Sequence, residues 1–322
     1  MVKKIARFML MLQLVAFTFL CSSASAQNMQ GSQQSVWAWE VKGKNRSIFL
    51  LGELHNFFLD PKSKIDHSLG LKISSLAEEI WMETPQEHDD LLQPRILVQD
   101  RVSPEIWLRL QKSVKDSIDF ISTLSVDKKA ELYISFVEAT NLRDPLGAYG
   151  NLELLSDLKS IKSASIKYIA YPGFGAYLNT SLSKLSSAKV LAIEDSNAQS
   201  QSWRDTCNKT DANLLLNAGL KLEINDSRRL ANRLSTIFLT PQDDLDELMR
   251  IHLSDVAGAI LFKCSVTPRN YAWLPKVLTA LEGQGAPVVF LVGIAHLWGD
   301  DGLISLLKKN GYTDVKRIYD VK

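Results

Sequence analysis

Short apolar runs alternate with amphipathic segments along this chain. Six runs have the length and the β-branched or aromatic content of strands, and each ends at glycine, proline or a charged residue. In order they are VWAWEV, SIFLLG, EIWM, KVLAI, VVFLVG and VKRIY. The first two are separated by KGKNR, whose glycine and asparagine favour a turn, so they predict a β-hairpin.

Apolar residues at three- and four-residue spacing between these runs predict helices. Ser103-Pro104-Glu105 is a typical helix start, with serine as the cap and proline in the first turn. Asp300 and Asp301 are expected to cap the last helix. Other helices are expected from about Ser63, over 178–187, 269–282 and 303–310, and through most of 86–165 and 200–257.

The order of these elements predicts an α/β fold. A central mixed sheet would be flanked by helices, and a long helical middle region would separate its first and last strands. The chain has 322 residues, of which 46% are hydrophobic and 23% charged, a composition typical of a globular domain. We find no repeat and no linker, so residues 27–322 are expected to form a single domain.

The first 26 residues have the organisation of a secretory signal peptide. Lys3, Lys4 and Arg7 precede the apolar run 8–20, and Ala24-Ser25-Ala26 offers a cleavage site. We therefore expect an exported protein, either periplasmic or extracellular. No later segment is apolar enough over 18 residues to predict an integral membrane span.

The net charge bears on the class of binding partner, and the cysteines bear on a possible disulfide. Without residues 1–26 the formal charge is about −2, which gives no indication of nucleic-acid binding. Two cysteines follow the signal sequence, Cys207 and Cys264. In an oxidising compartment they are either a disulfide or two separate buried thiols.

Two Gly-x-x-His motifs follow apolar strands about 240 residues apart. The first ends in His55 and the second in His296, while Glu83 and Glu194 also follow strands. Ligands of open α/β sheets gather beyond the carboxyl ends of the strands, so these four side chains are expected to meet there. Two imidazoles and a carboxylate are common donors for a divalent transition metal, and histidine and glutamate also serve in acid–base catalysis.

Several candidate site residues have a structural alternative. Glu53 is a ligand, a partner of His55 or a solvated charge at the end of the sheet. Glu194 belongs to the site, or this strand end has a structural role in which the neighbouring Asp195 caps a helix. Arg269 stabilises an oxyanion or a substrate carboxylate, or it forms an ion pair with Glu194.

VWAWEVKGKNRSIFLLGELHN and the segment from PRNYAWLPKVLTALEG to GYTDVKRI resemble the TraB/GumN family. The second segment carries most of the resemblance through its Arg-Asn pair, its apolar strand, its Gly-x-x-His-Leu motif and its acidic turn. The resemblance extends to erythromycin esterase-like hydrolases and ChaN-like haem-binding proteins. It implies one site framed by His55, His296 and Glu83, with Arg269 and Glu194 beside it.

The resemblance also implies an activity and a cofactor. Some animal relatives are proteases that use manganese or cobalt, so we expect a metal-dependent hydrolase that acts on a peptide or another amide or ester. The ion would be manganese, cobalt or zinc, held by His55, His296 and Glu83. The alternative is a non-catalytic protein that binds haem or a polysaccharide. One departure concerns Glu53, where the family usually has a small polar residue such as threonine.

Overall fold

The computed structural model describes most of the sheet and the helices that pack on it. The described residues are 33–54, 57–59, 64–83, 98–122, 145, 148–149, 152, 156, 169–171, 173–185, 188–194, 206–207, 211–221, 246, 249 and 256–320. The predictions for the signal peptide, His55 and Asp195 lie outside these residues, as does most of the helical middle region.

Five strands precede the first helix of the described residues, and helices and further strands follow. The strands are β1 Gln33–Gln34, β2 Trp37–Lys42, β3 Ser47–Glu53, β4 Phe57–Leu59, β5 Ile65–Asp66, β6 Glu79–Met82, β7 Ile169–Tyr171, β8 Lys189–Ala192, β9 Val288–Gly293 and β10 Val315–Ile318. The helices are α1 Ser68–Leu76, α2 Pro104–Ser122, α3 Phe174–Leu185, α4 Ala212–Leu220, α5 Val256–Leu261, α6 Thr267–Glu282 and α7 Leu303–Lys309.

A six-stranded mixed sheet forms the centre of the fold. Its strand order is β10-β2-β3-β9-β6-β8, with β2 antiparallel to β10 and β3, and with β3, β9, β6 and β8 mutually parallel. The predicted α/β fold with a central mixed sheet is therefore confirmed. Because the last four strands are parallel, their carboxyl ends lie at one edge of the sheet.

Both faces of the sheet are covered by helices. Side chains alternate along β3, so that Ile48 and Leu50 pack under α6 and α7, while Phe49 and Leu51 pack under α1 and α3. We call these the α6 face and the α3 face. β9 is buried along its whole length, as its uninterrupted apolar run predicts for a parallel strand covered on both sides. Each large side chain buried here contributes about 1.5–3 kcal/mol.

The predicted hairpin joins β2 to β3. Its turn is closed by the amide of Gly43, which donates to the carbonyl of Arg46 at 2.9 Å. A Cβ atom at position 43 would collide with the carbonyl oxygen of Leu281. Glycine is therefore required because α6 approaches the turn closely, and the hairpin is held against the end of that helix.

The helix expected from Ser63 begins later. Residues Ile65 and Asp66 form β5, which pairs in parallel with β1, and α1 starts at Ser68. The side chain of Asp66 accepts a hydrogen bond from the amide of Ser68 at 2.8 Å. This local turn, together with the pairing to β1, replaces the first helical turn that the apolar spacing predicts.

The start of α2 is confirmed. Ser103 Oγ accepts from the amide of Ile106 at 3.3 Å, as a serine cap does. The helix packs on α4 through a separate apolar cluster that includes Ile106, Leu110 and Leu216. Among the described residues, no helix combines the length and the apolar character needed to cross a membrane.

Candidate functional site

Three of the predicted site residues meet at the carboxyl edge of the parallel strands. Glu83 follows β6, Glu194 follows β8 and His296 lies in the 3₁₀ turn after β9. Arg269 reaches them from the first turn of α6 and contacts all three. Arg269, His296 and Glu194 are only 4%, 3% and 8% exposed. The site is therefore a cluster of buried polar groups, which must satisfy one another.

Arg269 is the centre of this cluster. Its Nε donates to Oε1 of Glu194 at 2.8 Å, and Nη2 donates to the same oxygen at 2.5 Å. Nη2 also donates to Oε2 of Glu83 at 2.9 Å. Its Nη1 lies 3.2 Å from Nε2 of His296. One guanidinium thus connects the ends of three parallel strands.

The charges within the cluster support one another. Burial alone would lower the pKa of Arg269, but the nearby carboxylates of Glu83 and Glu194 outweigh burial, and the pKa is raised above its ordinary value. The guanidinium is therefore charged throughout the working range of pH. The open alternative of an Arg269–Glu194 ion pair is confirmed, and the role of Arg269 toward an oxyanion stays a prediction.

Glu83 is the most accessible carboxylate of the cluster. Its side chain is 13% exposed, against 8% for Glu194. Oε1 accepts from the amide of Gly293, and this oxygen lies 3.6 Å from Nε2 of His296. The carboxylate is thus held by the backbone of the neighbouring strand on one side and by Arg269 on the other.

Asn270 holds the opposite side of the histidine ring. Its Oδ1 lies 2.7 Å from Nδ1 of His296. Its Nδ2 donates to the carbonyl of His296 at 3.2 Å and to the carbonyl of Asp301 at 2.8 Å. The Arg-Asn pair at the start of α6 therefore contacts both ring nitrogens of His296.

Trp273, one turn further along α6, closes the cluster. Its Nε1 donates to Oε2 of Glu194 at 3.0 Å. Its ring centroid lies 4.3 Å from that of His296, and the guanidinium carbon of Arg269 lies 4.6 Å from the same ring. The indole thus excludes water on one side and hydrogen-bonds to the buried carboxylate. Sequence analysis missed this residue, although its spacing of four from Arg269 places the two on one helix face.

A π-helical turn positions the start of α6. The turn spans Phe262–Val266 and continues directly into α6. Pro268 has no amide to donate and its ring displaces the carbonyl four residues earlier, so an ordinary α-helix is interrupted here. Cys264 lies within the turn and forms a disulfide with Cys207. Of the two open alternatives for these cysteines, the structure shows the disulfide, which anchors the segment that carries Arg269.

Residues 184–316 match the sequence model of the TraB/PrgY/gumN family. This match supports the resemblance to the TraB/GumN family over the C-terminal part of the chain. No curated protein and no solved structure gives a significant match. The residues matched to the TraB/PrgY/gumN family include Glu194, Arg269, Asn270 and His296, whereas Glu53, His55 and Glu83 precede them.

Glu53 lies at the same edge of the sheet but contacts the α3 face. Its Oε2 accepts from the amide of Gly175, in the first turn of α3, at 2.6 Å. The side chain is 5% exposed, so the alternative of a solvated charge is wrong. Where TraB/GumN relatives usually have a small residue, this chain has a carboxylate that caps a helix.

Two other expectations differ from the structure. Asp300 and Asp301 do not cap α7, which begins at Leu303 with Gly302 at the N-cap position and no side-chain cap. The carboxylate of Asp301 instead accepts from the hydroxyl of Tyr271 at 2.8 Å, and its carbonyl accepts from Asn270. The acidic turn thus supports the Arg-Asn pair at the start of α6 instead of the helix that follows it.

The metal expected from the resemblance stays a prediction, because its ligand His55 lies outside the described residues. Nε2 of His296 is the ring nitrogen that faces the cluster, and it is contacted by Nη1 of Arg269. Within the described ranges, no group of three or more histidine, cysteine, aspartate or glutamate side chains could hold an ion. A metal at His296 would require the guanidinium to move away.

Proposed function

We propose that the chain is an exported hydrolase of amide or ester bonds, with Glu83 as its general base. The observation that carries this proposal is the position of Glu83 beside Arg269 and His296, at the edge of the sheet where ligands of α/β proteins bind. The match of residues 184–316 to the TraB/PrgY/gumN family is consistent with the proposal but does not by itself define a reaction.

The exposure and the contacts of Glu83 suit a general base. Its side chain reaches solvent while those of Arg269 and Glu194 are almost fully buried. The amide of Gly293 and the guanidinium of Arg269 both donate to its carboxylate, which orients it without enclosing it. A positioned base of this kind typically contributes a factor of about 10²–10⁴ to the rate.

The proposed reaction needs one group, the carboxylate of Glu83, that first accepts a proton and later donates it. Water adds to the substrate carbonyl carbon while its proton moves to Glu83. The carbon–oxygen or carbon–nitrogen bond then breaks, and the departing alcohol or amine takes the proton back from Glu83. Arg269 and Glu194 are assigned no proton transfer in this reaction. Their role is to hold Glu83 and the edge of the sheet in place, because Arg269 donates hydrogen bonds to both carboxylates.

Export is supported by two features. Lysines and an arginine precede an apolar run at the N-terminus, and Ala24-Ser25-Ala26 follows it. The Cys207–Cys264 disulfide is typical of an oxidising compartment. Periplasmic or extracellular residence is therefore proposed.

Metal dependence stays a separate prediction. Because Nε2 of His296 is contacted by Arg269, the proton transfer is assigned to Glu83. Elemental analysis of protein purified without chelators tests the metal independently. About one manganese, cobalt or zinc ion per chain would support the prediction, and a protein that neither contains nor takes up these ions would overturn it. The same nitrogen gives haem no open ligand, so the haem-binding alternative gains no support from His296.

Hydrolysis is tested on protein exported to the periplasm and freed of its signal peptide. A pooled fluorogenic peptide library and a series of nitrophenyl esters serve as substrates. Glu83→Gln is expected to lower kcat/KM at least about 100-fold while the melting temperature stays close to that of the wild type. Glu78→Gln is the matched control, since Glu78 lies at the opposite end of β6 and pairs with Arg46.

Two results would overturn the proposal. One is a folded wild-type protein that hydrolyses none of these substrates, with and without added metal. The other is a Glu83→Gln variant that retains the wild-type rate.

A further inference from the structure

Two side chains that contact the ring nitrogens of His296, those of Arg269 and Asn270, can each hydrogen-bond to the ring in one direction only. A guanidinium has five N–H donors and no acceptor, so Arg269 can only donate to Nε2. The amide of Asn270 is oriented by two carbonyl oxygens, those of His296 and Asp301, which can only accept. Its Nδ2 must therefore face these carbonyls, and its Oδ1 must face Nδ1 of the ring.

These directions define the proton on the ring. Nδ1 must carry a hydrogen in order to donate to Oδ1 of Asn270 at 2.7 Å. Nε2 must carry a lone pair in order to accept from Nη1 of Arg269 at 3.2 Å. We propose that Asn270 is a positioning residue that holds His296 as the neutral Nδ1–H tautomer, with the Nε2 lone pair directed at Arg269 and Glu83.

The charged form of the ring fits the contacts less well. A hydrogen on Nε2 would point at a guanidinium that can itself only donate. Oε1 of Glu83, the carboxylate oxygen that faces Nε2 among the described residues, lies 3.6 Å away, beyond hydrogen-bond distance. The opposite neutral tautomer fails for the same reason, and it would also leave two acceptors, Nδ1 and Oδ1 of Asn270, facing each other at 2.7 Å.

Asn270 is itself well fixed. It is fully buried, and the turn that supplies the carbonyl of Asp301 is tied to α6 by the hydroxyl of Tyr271. The amide is thus held by two carbonyl oxygens in addition to its contact with the ring. In the proposed hydrolase, on which this one consequence rests, Nε2 would accept hydrogen bonds beside Glu83 and would not donate protons.

The tautomer is measured by NMR of protein labelled with ¹⁵N-histidine. Two-bond correlations distinguish a protonated ring nitrogen from one with a lone pair, at about pH 8, above the usual histidine pKa of about 6.5. His296→Gln identifies the signals of His296 by their loss. In the wild type we expect a protonated Nδ1 and an unprotonated Nε2.

Two variants and one control test the part played by Asn270. Asn270→Leu is similar in shape but has no acceptor, so the pure Nδ1–H pattern should be lost. Asn270→Asp keeps an acceptor at the same place and should retain a protonated Nδ1. Tyr271→Phe removes the neighbouring hydrogen bond to Asp301 and should leave the pattern unchanged.

A wild-type ring protonated at Nε2 would overturn the proposal, even if a variant fails to fold. An unaltered pattern in Asn270→Leu would overturn it as well, because Arg269 alone would then set the tautomer. Neither result depends on hydrolysis. A protein with the expected tautomer and no hydrolytic activity would therefore contradict only the proposed function.

Discussion

Glu194 accepts two hydrogen bonds from Arg269 at a single oxygen. Nε and Nη2 of the arginine donate to Oε1 at 2.8 and 2.5 Å, while Trp273 donates to Oε2. The pair joins the end of β8 to the start of α6, and both partners are buried. A buried ion pair is weak evidence of net stabilisation, but removing one partner is costly because it leaves an uncompensated charge.

Arg269→Met is therefore expected to destabilise the fold by about 3–5 kcal/mol. The variant leaves Glu194 and Glu83 without their cation, and the free energy of unfolding is measured by urea denaturation. Lys316→Ala provides the control, because the Lys316–Asp314 pair is largely exposed and should contribute little. A loss as small as that of the control would contradict the role given to the buried pair.

The Cys207–Cys264 disulfide should contribute substantially to stability. It joins positions 57 residues apart, for which the chain-entropy relation gives about 4 kcal/mol. Cys207→Ser/Cys264→Ser should lower the free energy of unfolding by about that amount, and a reducing agent should affect only the wild type. Titration of thiols in unfolded, unreduced protein provides the check. Two free thiols in the wild type would contradict the disulfide.

Glu53 and Gly175 should be energetically coupled. A Cβ atom at position 175 would lie 2.9 Å from Oε1 of Glu53 and 3.1 Å from Cε of Met82. Gly175→Ala should therefore displace the carboxylate from the helix start and cost about 1 kcal/mol. In a Glu53→Ala background the same change should be neutral or stabilising, because alanine is the better helix former.

The coupling is measured as a double-mutant cycle by thermal or urea denaturation. Gly175→Ala should cost less in the Glu53→Ala background than in the wild type. Strict additivity of the two changes would show that the carboxylate does not occupy the space beside Gly175.

His67 should make stability depend on pH. Its ring stacks on Tyr177 with centroids 3.8 Å apart, and burial lowers its pKa although Asp66 opposes the change. Between the lowered pKa and the ordinary value of about 6.5, the unfolded chain binds more protons. The contribution of the neutral, stacked His67 ring to the free energy of unfolding is therefore fully present above about pH 6.5. It is lost as the pH falls from there through the lowered pKa of the folded protein.

His67→Phe keeps a ring against Tyr177 and removes the titration. Urea midpoints measured at about pH 5, 6 and 7 should fall less steeply for the variant than for the wild type. The pKa of Asp66 is lowered by its hydrogen bonds to Ser68, so its own effect belongs to more acidic solutions. Parallel curves for the two proteins would contradict the assignment.

The sequence predicted the parts of the site that depend on strand ends. β6, β8 and β9 are apolar runs with clear limits, and the rule for parallel sheets then brings Glu83, Glu194 and His296 together. This much follows from local patterns and one general property of α/β folds. The placement of His55 stays a prediction.

The contacts that complete the site depend on residues far apart in the chain. Glu53 caps α3 through Gly175, which is 122 residues away, and nothing local to Glu53 distinguishes a cap from a solvated charge. Asp301 was expected to cap α7 because a short acidic residue before a helix usually does so. The hydroxyl of Tyr271, 30 residues earlier, donates a hydrogen bond to the carboxylate of Asp301 instead. Such competition between partners is decided by tertiary packing, which no local pattern contains.

The strand order has a consequence for how the protein is made. Ile48 of β3 pairs with Val288 of β9, so the centre of the sheet joins segments some 240 positions apart. A ribosome that has released β3 must still synthesise most of the chain before β9 can insert between β3 and β6. The nascent chain therefore cannot complete its sheet early, and contacts of such long range form slowly. If the chain is exported as proposed, this delay would keep it extended enough for passage through a secretion channel, and the buried cluster around Arg269 would assemble only after that passage.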